Sequence, residues 1–460
     1  MQSLAKVSAS KKDAPRVPPG ECPAAQAFHG EGTRNAGSAS TSDCIAQAHR
    51  QERSGDPKAM TIGCPECGAL EDVPPLTSRA IARCRLCNYP LERRSGRSLT
   101  AALACASTTF VLLFPANLAT LISVHMLGGE RSSLLASGIV GMWREGWLIL
   151  AALLGMFGIV LPFVRFGGLV AVLGAVRFRK RFRGMGALFR WTLWLDAWAM
   201  PDVYLIGCFI GYTRVTQNLA ATIGPGGYCF IVAAIMSMLT RATLDRRTVW
   251  RAIAPERRFD LGGRTVSCLS CDLVAPLDCD GQRCPRCALR LRTRKPDAVV
   301  RAAALSLAAL VLTIPANLYP MTISVQLGRD VSHRIIDGVY ELFHVGLWPF
   351  GILITCTSIV IPLAKLLGMA WFIWSVRVRS RRHLRLKAHL YRWIDELGRW
   401  SNVDVFTIAA FAPLIHFDGL ASARTAPGAT AFALVVFLTM AASRTFDPRM
   451  MWDARSGSRR

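Results

Sequence analysis

From residue 99 onward, long apolar stretches alternate with short polar links, and residues 148–161 and 302–314 carry no charge at all. A helix that crosses a membrane needs about 20 mainly apolar residues. The pattern supplies eight candidates, at about 99–124, 146–176, 192–213 and 219–240, then 300–323, 345–376, 400–417 and 428–443. The seventh is short and carries Asp404.

The two sets of four follow one plan. Phe114-Pro-Ala-Asn-Leu118 matches Ile314-Pro-Ala-Asn-Leu318, and Ile159-Val-Leu-Pro-Phe-Val-Arg165 matches Ile359-Val-Ile-Pro-Leu-Ala-Lys365. Trp198-Ala-Met-Pro-Asp-Val-Tyr204 matches Trp400-Ser-Asn-Val-Asp-Val-Phe406. Offsets stay within a few residues of 200, which reads as a tandem duplication. Four crossings return each half to its starting side, so the repeats are expected to be parallel rather than inverted.

Composition supports a membrane reading. Of the 460 residues 52% are hydrophobic and 18% charged, yet the net charge is +25. A soluble nucleic-acid binder would be basic without such apolar runs. A polytopic membrane protein combines both, because its cytoplasmic links are rich in Lys and Arg. Arg177, Arg179, Lys180, Arg181, Arg183 and Arg190 crowd the link between the second and third stretches. Arg377, Arg379, Arg381, Arg382, Arg385, Lys387 and Arg392 crowd its counterpart. The links between first and second stretches hold only Arg131 and Arg144, or Arg329 and Arg334. The basic side, with both termini, is therefore expected in the cytoplasm.

Each half opens with two Cys-x-x-Cys pairs. They are Cys64/Cys67 with Cys84/Cys87, and Cys268/Cys271 with Cys284/Cys287. Such pairs place thiolates on one metal from tight turns, and two pairs complete a tetrahedral zinc-ribbon shell. Gly68 follows the first pair, where a permissive backbone is useful. Two structural zinc ions are expected. A thiol redox protein, or a metal or redox sensor, is the alternative, but no βαβ pattern surrounds the pairs. Arg290, Arg292, Arg294 and Lys295 precede a membrane stretch and obey the positive-inside bias, so no nucleic-acid partner is expected.

The expected organisation is a disordered tail at 1–60, zinc ribbon 1 at 61–96, transmembrane repeat 1 at 97–250, zinc ribbon 2 at 251–297, transmembrane repeat 2 at 298–453 and a basic tail at 454–460. The fold class is an all-α polytopic membrane protein of two parallel four-helix repeats, each preceded by a cytoplasmic zinc ribbon. With the Pro-Ala-Asn, Ile-Val-x-Pro and Trp-x-x-x-Asp-Val-(Tyr/Phe) elements, the layout over residues 60–453 resembles the paraquat-inducible protein A family. That resemblance implies a bacterial inner-membrane component of envelope lipid transport, working on membrane lipids beside a periplasmic MCE-domain tunnel protein.

Ionisable residues inside apolar spans are costly and usually face a bundle interior or a wet cavity. Arg165 lies 12 residues before Arg177, and Asp202 lies 12 after Arg190. Lys365 and Asp404 stand in the same relation to Arg377 and Arg392. At 1.5 Å per residue each is about 18 Å from its marker, so each half is expected to pair a cation with a carboxylate at matched depth. Such a pair can lock two helices, or it can switch as lipid moves; both readings stand. Asn117 and Asn317 are expected to satisfy backbone groups near Pro115 and Pro315. No phosphate-cradling loop or histidine cluster is present in the sequence, and no enzymatic activity is expected.

Overall fold

Lipid offers no hydrogen bonds, so an apolar chain inside it must satisfy its own backbone as helix. A computed structural model describes residues 60–74, 76, 80–93, 99–126, 129–216, 220–254, 265–326, 329–346, 348–403, 405–407 and 421–453, all within one compact unit, Thr41–Arg460. The expected tails (save Met60) and Asp404 lie outside the described residues.

The first half begins with two short hairpins, β1 (Met60–Gly63) with β2 (Leu70–Val73), and β3 (Ile81–Arg83) with β4 (Pro90–Arg93). Helix α1 (Leu99–Leu118) leads to a hairpin of β5 (Ile122–Met126) and β6 (Gly129–Ser133). Then come α2 (Ser137–Arg144), α3 (Leu148–Gly155), a π turn at Met156–Val160, and α4 (Leu161–Arg177). Next are α5 (Met185–Leu195), α6 (Pro201–Val215), β7 (Ala220–Ile223), α7 (Pro225–Thr243) and α8 (Arg246–Ile253). The second half follows a similar order among the described residues, with one hairpin in its cysteine module and the counterpart of α6 largely outside them. It has β8 (Thr265–Ser267), β9 (Val274–Pro276), α9 (Ala298–Leu318), β10 (Thr322–Gln326), β11 (Arg329–His333) and α10 (Ile335–His344). It continues with α11 (Trp348–Thr355), a π turn at Cys356–Val360, α12 (Ile361–Arg377), α13 (Leu384–Leu397) and a 3₁₀ turn at Gly398–Asn402. It ends with β12 (Ala421–Thr425), α14 (Pro427–Thr445) and a 3₁₀ turn at Pro448–Trp452.

Among the described residues six helices are long and apolar enough to cross a membrane: Leu99–Leu118, Leu148–Arg177, Pro225–Thr243, Ala298–Leu318, Trp348–Arg377 and Pro427–Thr445. The chain is a multi-pass membrane protein. The expected third stretch is not one helix. It breaks between α5 and α6, and the 15 residues of α6 rise only about 22 Å. Pro201 sits at the start of α6, where its missing N–H costs nothing. Residues 404 and 408–417 of the expected seventh stretch lie outside the described residues.

The fold is mostly helical rather than all-α. Two three-stranded antiparallel sheets, β6-β5-β7 and β11-β10-β12, cap the end of the bundle away from the cysteines. There the chain has left the apolar layer, and alternating residues such as Ile122 and Val124 (buried) suit pairing. The π turns share one cause. Pro162 and Pro362 cannot donate to the carbonyls of Gly158 and Ser358, four residues back, and the helix widens there.

The halves meet through equivalent residues. Tyr204 stacks on Phe406 with ring centroids 4.6 Å apart, and Asn402 Nδ2 lies 3.3 Å from Met200 Sδ. Residues touching their own counterparts are what a two-fold relation produces. Gly207 permits the approach, because a Cβ there would sit 2.9 Å from Phe406 Cβ.

Candidate functional site

Four knuckles of one design present the cysteines. The amides of Cys64, Cys84, Cys268 and Cys284 donate to the carbonyls of Ala69, Tyr89, Leu273 and Leu289 at 2.7–2.8 Å. The residue after each second cysteine is left-handed: Gly68 (φ 74°), Asn88 (61°), Asp272 (57°) and Ala288 (57°). Only Gly68 was legible as a permissive position. Asn and Asp tolerate this backbone, whereas Ala pays a Cβ clash.

The eight sulfurs form two closed groups, each within 4.8 Å, and every cysteine in them is buried. Cys64–Cys87 and Cys67–Cys84 are 3.5 Å apart; Cys268–Cys287 and Cys271–Cys284 are 3.4 and 3.5 Å. Thiolates at about 2.3 Å from a metal in tetrahedral array stand about 3.8 Å from one another, so four sulfurs this close fit one ion. Both groups can hold a metal.

Each cysteine module packs on the opposite half. The first buries Ile62, Cys64 and Leu91 against Met369, Phe372, Ala388 and Trp452. Arg392 fixes it, donating to Glu66 at 2.7 Å and to the Cys87 carbonyl at 2.5 Å. The second buries Val266, Cys268 and Leu291 against Phe166, Leu173, Phe189 and Trp250. Arg190 donates to the Cys287 carbonyl at 2.9 Å, and Gly186 faces the Arg286 carbonyl so closely that no side chain fits there. The basic residues of the links, read from sequence only as orientation signals, are therefore the clamps of the modules. Burial pushes the Glu66 carboxyl up to about 7, against the pull of Arg392.

The expected charge pair of the first half is rearranged, and of the Lys365/Asp404 pair Asp404 lies outside the described residues. Arg165 does not pair with Asp202. It pairs with Asp196, while Arg241 donates to Asp196 at 2.9 Å and to Asp202 at 2.6 Å. Arg241 also caps the carbonyls of Asp196 and Ala199, which the helix break leaves free. In the second half Lys365 donates to the Gly398 carbonyl at 2.8 Å and lies 3.5 Å from Thr439 Oγ1. By the offset of the Trp198 and Trp400 motifs, Gly398 stands where Asp196 does and Ser443 where Arg241 does. The second half instead pairs Asp395 with Arg444 at 3.2 Å, and Ser443 donates to Asp395. The difference at these positions was the available signal; Asp196 was missed at the head of the third stretch, and Arg241 one residue past the fourth.

The depth arithmetic brings Arg165 and Asp202 into one cluster, joined through Asp196 and Arg241. Helices α3 and α4 run together for 30 residues, about 45 Å, against a hydrocarbon layer of about 30 Å. Beyond Arg165 the helix is sheathed by the second cysteine module, through Phe166, Leu169, Val172 and Leu173. Arg165 is tied through Asp196 to Arg241, two residues before the end of α7. Asn117 and Asn317 donate within their own helices, to Leu113 and Thr313 carbonyls at 2.7 and 2.8 Å.

Comparison with known proteins places this geometry. The sequence profile described as Paraquat-inducible protein A matches residues 99–254 and again 299–456. The chain is 28% identical over 413 residues to the intermembrane transport protein PqiA of Escherichia coli, covering 87% of this chain and 97% of that one. It is 29% identical over 403 residues to the lipophilic envelope-spanning tunnel protein A of the same organism, covering 86% and 92%. A probable intermembrane transport protein of Haemophilus influenzae is 25% identical over 406 residues, covering 86% and 96%. No solved structure matches. A profile that fits both halves, over spans that share most of their elements in the same order, means that the chain belongs to the paraquat-inducible protein A family.

Proposed function

We propose that the protein is a non-enzymatic inner-membrane component of an envelope lipid-transport system, passing lipid to or from a periplasmic MCE-domain tunnel partner. The observation that carries this reading is the doubled family match over a membrane-crossing helical unit. The names of the relatives, intermembrane transport protein and lipophilic envelope-spanning tunnel protein, support it. On this reading the halves are parallel repeats of four crossings, and the cysteine modules lie in the cytoplasm with the Arg-rich links. Each module holds one zinc as a structural ion, which folds the hairpins.

Lys365 and Asp404 are the pair proposed to act with lipid, either as a lock or as a switch. Changing both to neutral residues restores abundance under either reading, and restores transport only if they are a lock. The overall reading is tested by following labelled phospholipid between inner and outer membranes. Cells lacking the chain slow the transfer, and equal transfer with and without it refutes the proposal. Metal analysis separates the thiol-redox alternative: two zinc ions per chain and no reactive thiol in either module exclude it.

A further inference from the structure

The charge cluster of the first half opens into a pocket. A small cleft of about 30 Å³ is lined by Arg165, Asp196, Arg241 and Arg246, with Thr192 beside them. Arg165 forms the floor, 3% exposed, and its Nη1 has no hydrogen-bond partner. Arg246 stands at the mouth, 59% exposed, 3.6 Å from Asp196 Oδ2. Leu169, Leu193 and Leu244 make the rest of the wall.

Three features set this cluster apart from a plain helix lock. It is unbalanced: three guanidiniums meet two carboxylates, Asp196 and Asp202, which leaves positive charge in excess. It is open on the side of Arg246. It also sits at the end of an apolar helix, since α7 ends two residues after Arg241. Guanidiniums bind phosphate oxygens through paired, charge-assisted hydrogen bonds. Apolar walls beside them suit an acyl chain. At the motif offset Gly398, Ser443 and Pro448 replace Asp196, Arg241 and Arg246, and the second half pairs Asp395 with Arg444 instead, at 3.2 Å.

We propose that this pocket binds a phosphate-bearing anion, the headgroup of an acidic phospholipid in the leaflet on the cysteine side, with its chains along the leucine wall. The inference rests on the lipid-transport reading for its biological use, but binding is measured apart from transport, so either can fail alone.

The test uses the purified, delipidated full chain in detergent, with native mass spectrometry to count bound lipid. Phosphatidylglycerol is the probe, phosphatidylcholine the zwitterionic control, and inorganic phosphate the competitor. The expected result is binding of phosphatidylglycerol over phosphatidylcholine, weakened about tenfold by Arg246→Ala and kept by Arg246→Lys. Arg246 is exposed, so its loss leaves the fold intact; Arg165→Gln, where it folds, gives a loss at least as large. Millimolar phosphate that fails to displace the lipid marks the membrane headgroup as the source, and phosphate that displaces it fully marks a soluble phosphate anion. Equal binding of both lipids, or phosphatidylglycerol binding untouched by Arg246→Ala and Arg246→Glu, overturns the proposal.

Discussion

Asp196 accepts from Arg165 and Arg241 and stands 3.6 Å from Arg246. Its removal leaves buried guanidinium charge uncompensated, which costs about 3–5 kcal/mol. Asp196→Ala is therefore expected to lower abundance and melting temperature sharply, and adding Arg165→Met is expected to recover part of the loss. A thermal melt in detergent checks this, and an unchanged melt for the single variant contradicts the network. Ala288 marks a smaller effect. It holds φ 57° without the freedom of glycine, so Ala288→Gly is expected to stabilise the second module by up to about 1 kcal/mol. Resistance of bound metal to a chelator reads that gain. At this scale the sequence was most informative for the cysteines, whose chemistry is carried by spacing. It was least informative for Asp196 and Arg241, whose roles arise from contact across 45 residues.

Asp447 shows how a single carboxylate ties elements together. It accepts from the backbone of Lys295 at 3.0 Å, after the second module, and from Arg449 through its amide and guanidinium. Burial alone would raise its carboxyl, but Arg449 outweighs that and holds it below the ordinary value of 3.8. A lowered folded pKa adds stability above 3.8 that is lost as pH falls below it through the folded value. Acid is thus expected to loosen the joint between residues 295 and 447, and Asp447→Asn to abolish that acid sensitivity; thermal melts from pH 5 down to about pH 3 measure it. Six crossing helices were legible because about 20 apolar residues leave little choice. The break of the third stretch between Leu195 and Pro201 was not legible, because its flanks remain apolar. The sheets escaped because strands of four or five residues give weak periodicity.

Across the whole molecule, sequence order misleads about which parts belong together. Each cysteine module precedes one half and is clamped to the other, by Arg392 in one case and Arg190 in the other. No local signal carries that exchange, since it is decided by surfaces that meet only after folding. Orientation is separately testable. A cysteine placed at Gly129, on β6, is expected to react with an impermeant reagent from the periplasm, and one at Arg183 or Arg381 is expected to be protected until the membrane is opened. The crossed clamping is tested most directly by hydrogen exchange on the purified full chain after one module is unfolded. Cys64→Ser is expected to raise exchange in α13 and in Pro448–Trp452 while α5 stays protected, because those segments cover the first module. Cys268→Ser is expected to do the reverse, exposing α5 and α8. Exchange that rises instead in α1 and α5 after Cys64→Ser contradicts the account.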